Sequence, residues 1–164
     1  MVATRKPALS GRSPAVPVGH GADFHAWSID QAQRLRARAA TGLDWDNLAE
    51  EIESVGRADR NEIYSRLIKL LSHLLKWQFQ PERRSNSWRA TLLEQRLRIA
   101  RTIEASPSLR GLPAAFLDET YRIARLEAAG ETDLPADRFP DICPYSVSDV
   151  LAEYFLPEGD PSGD

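Results

Sequence analysis

The chain has 164 residues, which fits one domain with a real core. Apolar content of 42% beside 27% charged residues marks a globular chain, and a net charge of -3 gives no warrant for a dedicated polyanion binder. No apolar run approaches the roughly 20 residues that cross a bilayer, and the basic start at Arg5, Lys6 and Arg12 lacks the apolar stretch of a secretory signal. A cytoplasmic protein without a membrane role is therefore expected. Cys143 is the single cysteine, which excludes an internal disulfide or a Cys-based zinc site and agrees with a reducing compartment.

In chain order, residues 1–21 are rich in Pro, Gly and small polar residues, hold too little apolar surface to offset the entropy of ordering, and read as a disordered tail. A first helix is predicted from a Ser28 cap, with Gln31 completing a capping box, to about Ala40 before Thr41 and Gly42. The second starts at Asp44 or Asn47 and meets no proline until Pro81, with a kink or break allowed at Gly56. After a turn over 81–87, a third runs to about Ala105. A fourth spans Pro113 to Gly130, using proline at its start and glycine at its end. A Pro-rich loop leads to a short closing helix capped by Ser146 and carrying Val150, Leu151, Tyr154 and Phe155. Residues 158–164 are expected to fray. The sum is an all-α, antiparallel helical bundle of about four main helices plus a short C-terminal one, a single domain over 22–157.

Helical periodicity gathers Ile63, Leu67, Leu70, Leu71, Leu74, Leu75 and Trp77 on one arc of the second helix, which must face the core. The same wheel puts Glu53, Arg60 and Gln78 near the middle of that arc, with Glu50 and Arg57 at its edge. In the third helix, Trp88, Leu92, Leu93, Leu97, Ile99, Ala100 and Ile103 form an arc with Arg89 and Arg96 at its centre, two turns apart. Inward charges must find partners, because an unpaired buried charge is costly. A structural ion network is the favoured account; a pocket for an acidic ligand built from Glu53, Arg57, Arg60, Arg89 and Arg96 is the sharper alternative, since guanidinium forks bind carboxylate and phosphate.

Residues 57–101 hold eleven Lys or Arg against four Asp or Glu, and residues 102–164 hold four against thirteen, so the two segments complement each other. Arg66, Lys69, His73 and Lys76 form the one basic stripe expected to be exposed; nucleic acid is a disfavoured third reading, because Trp77, Phe79 and Trp88 fall on core arcs. A core role is the default for Trp27, Trp45, Trp77 and Trp88 alike. No Glu-x-x-His pair, G-x-S-x-G elbow, phosphate loop or dinucleotide fingerprint occurs, so no metal, cofactor or catalytic residue is expected and the reading leans against an enzyme.

The strings DFHAW at Asp23–Trp27, WDNLAEEIESVGR at Trp45–Arg57, HLLKWQFQPERRSNSWR at His73–Arg89, SPSL at Ser106–Leu109 and FPDICPY at Phe139–Tyr145, taken in order, resemble the bacterial family called domain of unknown function 29. The resemblance covers about residues 22–157, with His25 where the family usually has Tyr. It implies an all-helical bacterial domain and brings no activity, substrate or catalytic residue with it. The expected role is a small interaction or regulatory module whose partner is another protein, with homo-oligomerisation left open.

Overall fold

Asp23 starts the first helix. In the computed structural model, which describes residues 19–159, its carboxylate accepts from the Ala26 amide and opens α1 (Phe24–Arg36). Ser28, expected as the cap, lies one turn inside and donates to the His25 carbonyl instead. The helix stops four residues before Ala40 because Arg38 takes a left-handed backbone conformation. Gly42 is also left-handed, and a Cβ there would collide with the Arg34 guanidinium, which itself reaches the Thr41 carbonyl. This tight return lets Gln31, buried in α1, donate to the Gly42 carbonyl and accept from the Asp44 amide.

Helix α2 (Trp45–Phe79) is 35 residues long and passes through Gly56 without a break. Asp44 caps it, its two carboxylate oxygens accepting from the Asn47 amide and side chain. A single 3-10 turn at Pro81–Arg83 leads to α3 (Asn86–Ala105), where Ser85 accepts from the Trp88 amide. Another turn at Pro107–Leu109 precedes α4 (Leu112–Thr132). Pro113 sits at its start as expected, but Gly130 lies inside the helix; the left-handed residue that ends it is Asp133. Ser146 caps the short α5 (Val147–Leu151), and Tyr154 and Phe155 fall beyond its end. Among the described residues the fold is all-α, with four main helices and one short one.

The chain separates into two compact units, one ending at Glu53 and one beginning at Ser54. In the first, the buried Trp27 donates to Asp44, and His20 stacks edge-on against Trp27 and Phe24 while meeting Glu51 at 2.9 Å. His20 is thus tied down, although it was expected in the tail; residues 1–18 lie outside the described residues, as do 160–164 at the other end. In the second unit, Arg66 meets Gln95 and Ser106 meets Asp59, so α3 runs antiparallel to α2. Tyr64 with Glu119 and Lys76 with Glu131 place α4 parallel to α2 and antiparallel to α3. The core is the arc the periodicity marked: Ile63, Leu67, Leu70, Leu71, Leu74, Leu75 and Trp77, packed with Leu92, Ile99, Phe116, Tyr121 and Ala124.

Candidate functional site

Of the two arginines at the centre of the α3 arc, one faces inward. Arg96 is 4% exposed, and its guanidinium donates to three backbone carbonyls of the C-terminal segment: Val150 at 2.9 Å, Glu153 at 3.0 Å and Phe155 at 2.8 Å. Burial lowers its pKa from the usual arginine range. The three bonds satisfy the cation and fasten the chain where it leaves α5. Arg96 is therefore a clamp on its own backbone, with most of its donors already used.

The other members of the expected pocket lie on the surface. Glu53, Arg57, Arg60 and Arg89 are all exposed, as is Glu50. The wheel reports direction around the helix axis; it is silent on how far along the axis neighbours extend. On α2 the first buried residue is Ile63, so the charges before it share the leucines' direction and remain wet. Arg60 places its guanidinium 5.0 Å from the Phe116 ring, a cation-π contact. Arg89 and Arg96 do line a common cavity of about 230 Å³, together with Leu92, Glu153, Tyr154 and Leu156. Gln78, the remaining inward polar residue, is half-buried and accepts from the Tyr145 hydroxyl at 2.6 Å.

The basic stripe is likewise rearranged. Lys69 is exposed, but Arg66 is half-buried and bonded to Glu62 and Gln95, while His73 and Lys76 are buried, each 7% exposed. Lys76 tolerates burial because its ammonium meets Glu131 at 2.5 Å and lies 4.9 Å from the Trp88 ring centre. Hydrogen bonding to Lys76 holds the Glu131 carboxyl below the usual carboxylate range. His73 bonds to the Lys69 carbonyl through Nδ1; burial, then the Lys76 charge, push its pKa down. The four residues therefore do not form one exposed stripe.

Sequence reasoning missed two polar anchors of the loop before α5. The Tyr121 hydroxyl donates to the Pro140 carbonyl at 2.7 Å, and the Tyr145 hydroxyl makes the bond to Gln78. Burial pushes Tyr121 up to about 12 and raises Tyr145 further, so both are fixed donors rather than acids in the working pH range. Burial also raises the Cys143 thiol, away from the reactive thiolate form. Among the described residues no three His, Cys, Asp or Glu side chains gather where they could share a metal ion, and no helix is long and apolar enough to cross a membrane.

A wider groove lies elsewhere on α3. Leu93 and Leu97 were expected on the core arc of α3, yet they are 36% and 54% exposed, because Leu92, Arg96 and Ile99 take the buried positions beside them. With Ala90 and Ala105 they floor a groove of about 720 Å³. Its rim carries Asp59 and Glu62 from α2 and Glu94, Arg98 and Arg101 from α3. Asp59 accepts from Ser106, Glu62 from Arg66 and Glu94 from Arg98. The signal available in the sequence was the adjacency of Leu92 and Leu93, which point about 100° apart on a helix and cannot both sit at the centre of one buried face.

The chain matches the family described as Domain of unknown function DUF29 over residues 20–156. No curated protein and no solved structure matches it. The matched span takes in all five helices, from the His20 anchor to the segment held by Arg96. The protein is thus a member of the DUF29 family.

Proposed function

We propose that this protein is a cytosolic protein-interaction module without chemistry of its own, and that it docks an amphipathic helix of a partner protein in the α3 groove. The observation that carries this reading is the pair Leu93 and Leu97, apolar and open at the floor of a 720 Å³ groove walled by charges of both signs. Such a groove matches a helix that inserts aliphatic side chains at i, i+3 or i+4 spacing. Arg101, exposed at the rim, favours a carboxylate on that helix, whereas the Asp59, Glu62 and Glu94 carboxylates already have donors. The polar groups at the protein's interior support the same view, since Arg96, Tyr121, Tyr145 and Lys76 are each consumed by structural bonds. The lone, burial-raised thiol of Cys143 fits a reducing compartment.

The test is capture from the native host with wild type and with a Leu93→Glu, Leu97→Glu double variant, followed by direct binding to the purified partner. Both positions are exposed, so the variant keeps its helical content. A partner that binds through an amphipathic helix and loses at least about tenfold in affinity to the variant is the expected outcome. Equal binding to both proteins overturns the reading. A second reading, an anion held at the cavity of Arg89, Arg96 and Tyr154, draws on the common lining of those residues. It predicts that phosphate raises the melting temperature of wild type and not of Arg89→Met, and it fails if neither responds.

A further inference from the structure

A cavity of about 410 Å³ opens between the carboxyl-terminal half of α3, the turn after it and the end of α5. That volume falls in the range of small-molecule sites. Arg96, Ile99, Ile103 and Glu104 of α3 line it, with Arg110 after the turn and Leu151 at the end of α5. All of them belong to the unit that begins at Ser54. One side of the cavity is apolar: Ile99 is 1% exposed, and Ile103 and Leu151 are half-buried against the core. None of the lining is shared with the α3 groove, so a ligand here is independent of whatever that groove docks.

The charges on its walls do not balance. The Val150, Glu153 and Phe155 carbonyls satisfy the Arg96 guanidinium in hydrogen bonds, but they are neutral groups, and among the described residues no carboxylate meets it. A cation at 4% exposure without a counter-charge leaves a positive field in the space beside it, because protein screens charge less than water does. Arg110 adds a second cation, exposed and without an acceptor among the described residues. Glu104, also exposed, is the single acid of the lining. One negative charge on a ligand brings the walls to neutrality, whereas two would overshoot beside Glu104. The apolar side selects an anion with a hydrocarbon or aryl body, which gains by leaving water against Ile99, Ile103 and Leu151. We propose that this cavity binds a small amphipathic monocarboxylate, its carboxylate held by Arg110 in the field of Arg96 and its apolar body packed on Ile99, Ile103 and Leu151.

The probe is octanoate, titrated into the ¹⁵N-labelled full chain and followed by amide chemical shifts. Saturable shifts centred on Ala100, Ile103 and Leu151, with a Kd of about 1 mM or tighter, are the expected outcome. Acetate, which lacks the apolar body, and octanol, which lacks the charge, should each bind at least about tenfold more weakly. Arg110→Met should weaken octanoate at least about fivefold, and Ala100→Glu, which puts an acid into the cavity from an exposed position, should abolish binding. Lys69→Met, an exposed cation outside this lining, should leave it unchanged. These positions are all exposed, so the variants keep their helical content. Octyl phosphate, with its second negative charge, should bind more weakly than octanoate, and Glu104→Gln should narrow that difference. Shifts that do not saturate by about 10 mM octanoate overturn the proposal, as do shifts centred on Arg89 and Tyr154. Octanol that binds as tightly as octanoate overturns it too, and so does an Arg110→Met variant with wild-type affinity.

Discussion

The two halves of α2 are one continuous helix with opposite environments. Between Ile63 and Trp77 ten side chains are buried, including His73 and Lys76, which are pulled in with the leucines because almost every direction around this stretch is occupied. Between Trp45 and Glu62 no side chain is buried, although Trp45, Ile52 and Val55 are as apolar as anything in the core. The same amphipathic logic therefore produces a core in one half and an open face in the other. Periodicity states which way a side chain points. Whether that direction ends in protein or in water depends on how far α3 and α4 extend beside it.

The contrast can be broken most forcefully at its buried end. Leu71→Ala is expected to cost roughly 2–5 kcal/mol, as a methylene-rich side chain leaves a cavity in a fully packed site, while Ile52→Ala in dilute protein should stay within about 0.5 kcal/mol. Chemical denaturation of the two variants side by side checks both; a cost at Ile52 comparable to that at Leu71 would mean that the exposed face is covered within the single chain. The two α3 arginines give the next largest difference. Arg96→Met should lose about 2–4 kcal/mol, because three carbonyls of the C-terminal segment lose their donor, and proteolysis within 150–156 should accelerate. Arg89→Met should fall within about 0.5 kcal/mol.

Smaller effects sharpen the comparison. Gly56→Ala should raise the stability of dilute protein by about 0.5–1 kcal/mol, since it removes a helix-interior glycine whose added Cβ has open space around it. Thermal unfolding measures it. The smallest effect at neutral pH is the titration of His73. Burial and the neighbouring Lys76 depress its folded pKa, with Lys69 acting the same way and Glu131 on α4 opposing. A depressed folded value means that its contribution is complete above the unfolded pKa of about 6.5 and is lost as pH falls through the folded value. Glu131, depressed by Lys76, adds a loss of the same sign at lower pH, through the carboxylate range. Stability should therefore decline on acidification below about 6.5, and His73→Gln should flatten the upper part of that decline; an unchanged profile in the variant would place the titration elsewhere.

Much of the fold was legible. The leucine arc of α2, the Ser146 cap and the proline that starts α4 depend on local chemistry, namely helical spacing, an amide accepted by a hydroxyl, and a residue without an N–H. The misplaced boundaries have local rivals: Asp23 outcompeted Ser28 as the first cap, and the left-handed turn at Asp133 ended α4 three residues after Gly130. The site was less legible. Of five charges expected to converge, Arg96 alone is buried, and its partners are backbone carbonyls, which leave no mark in a sequence.

What the sequence by itself determined is the direction of each side chain about its helix axis, because that follows from 3.6 residues per turn and nothing else. What only the tertiary structure decided is which directions are occupied. Three neighbouring helices bury His73 and Lys76, leave Arg60 and Arg89 wet, and open Leu93 and Leu97 at a groove. Burial is a property of the neighbours' length and placement, and a single helix carries no record of either.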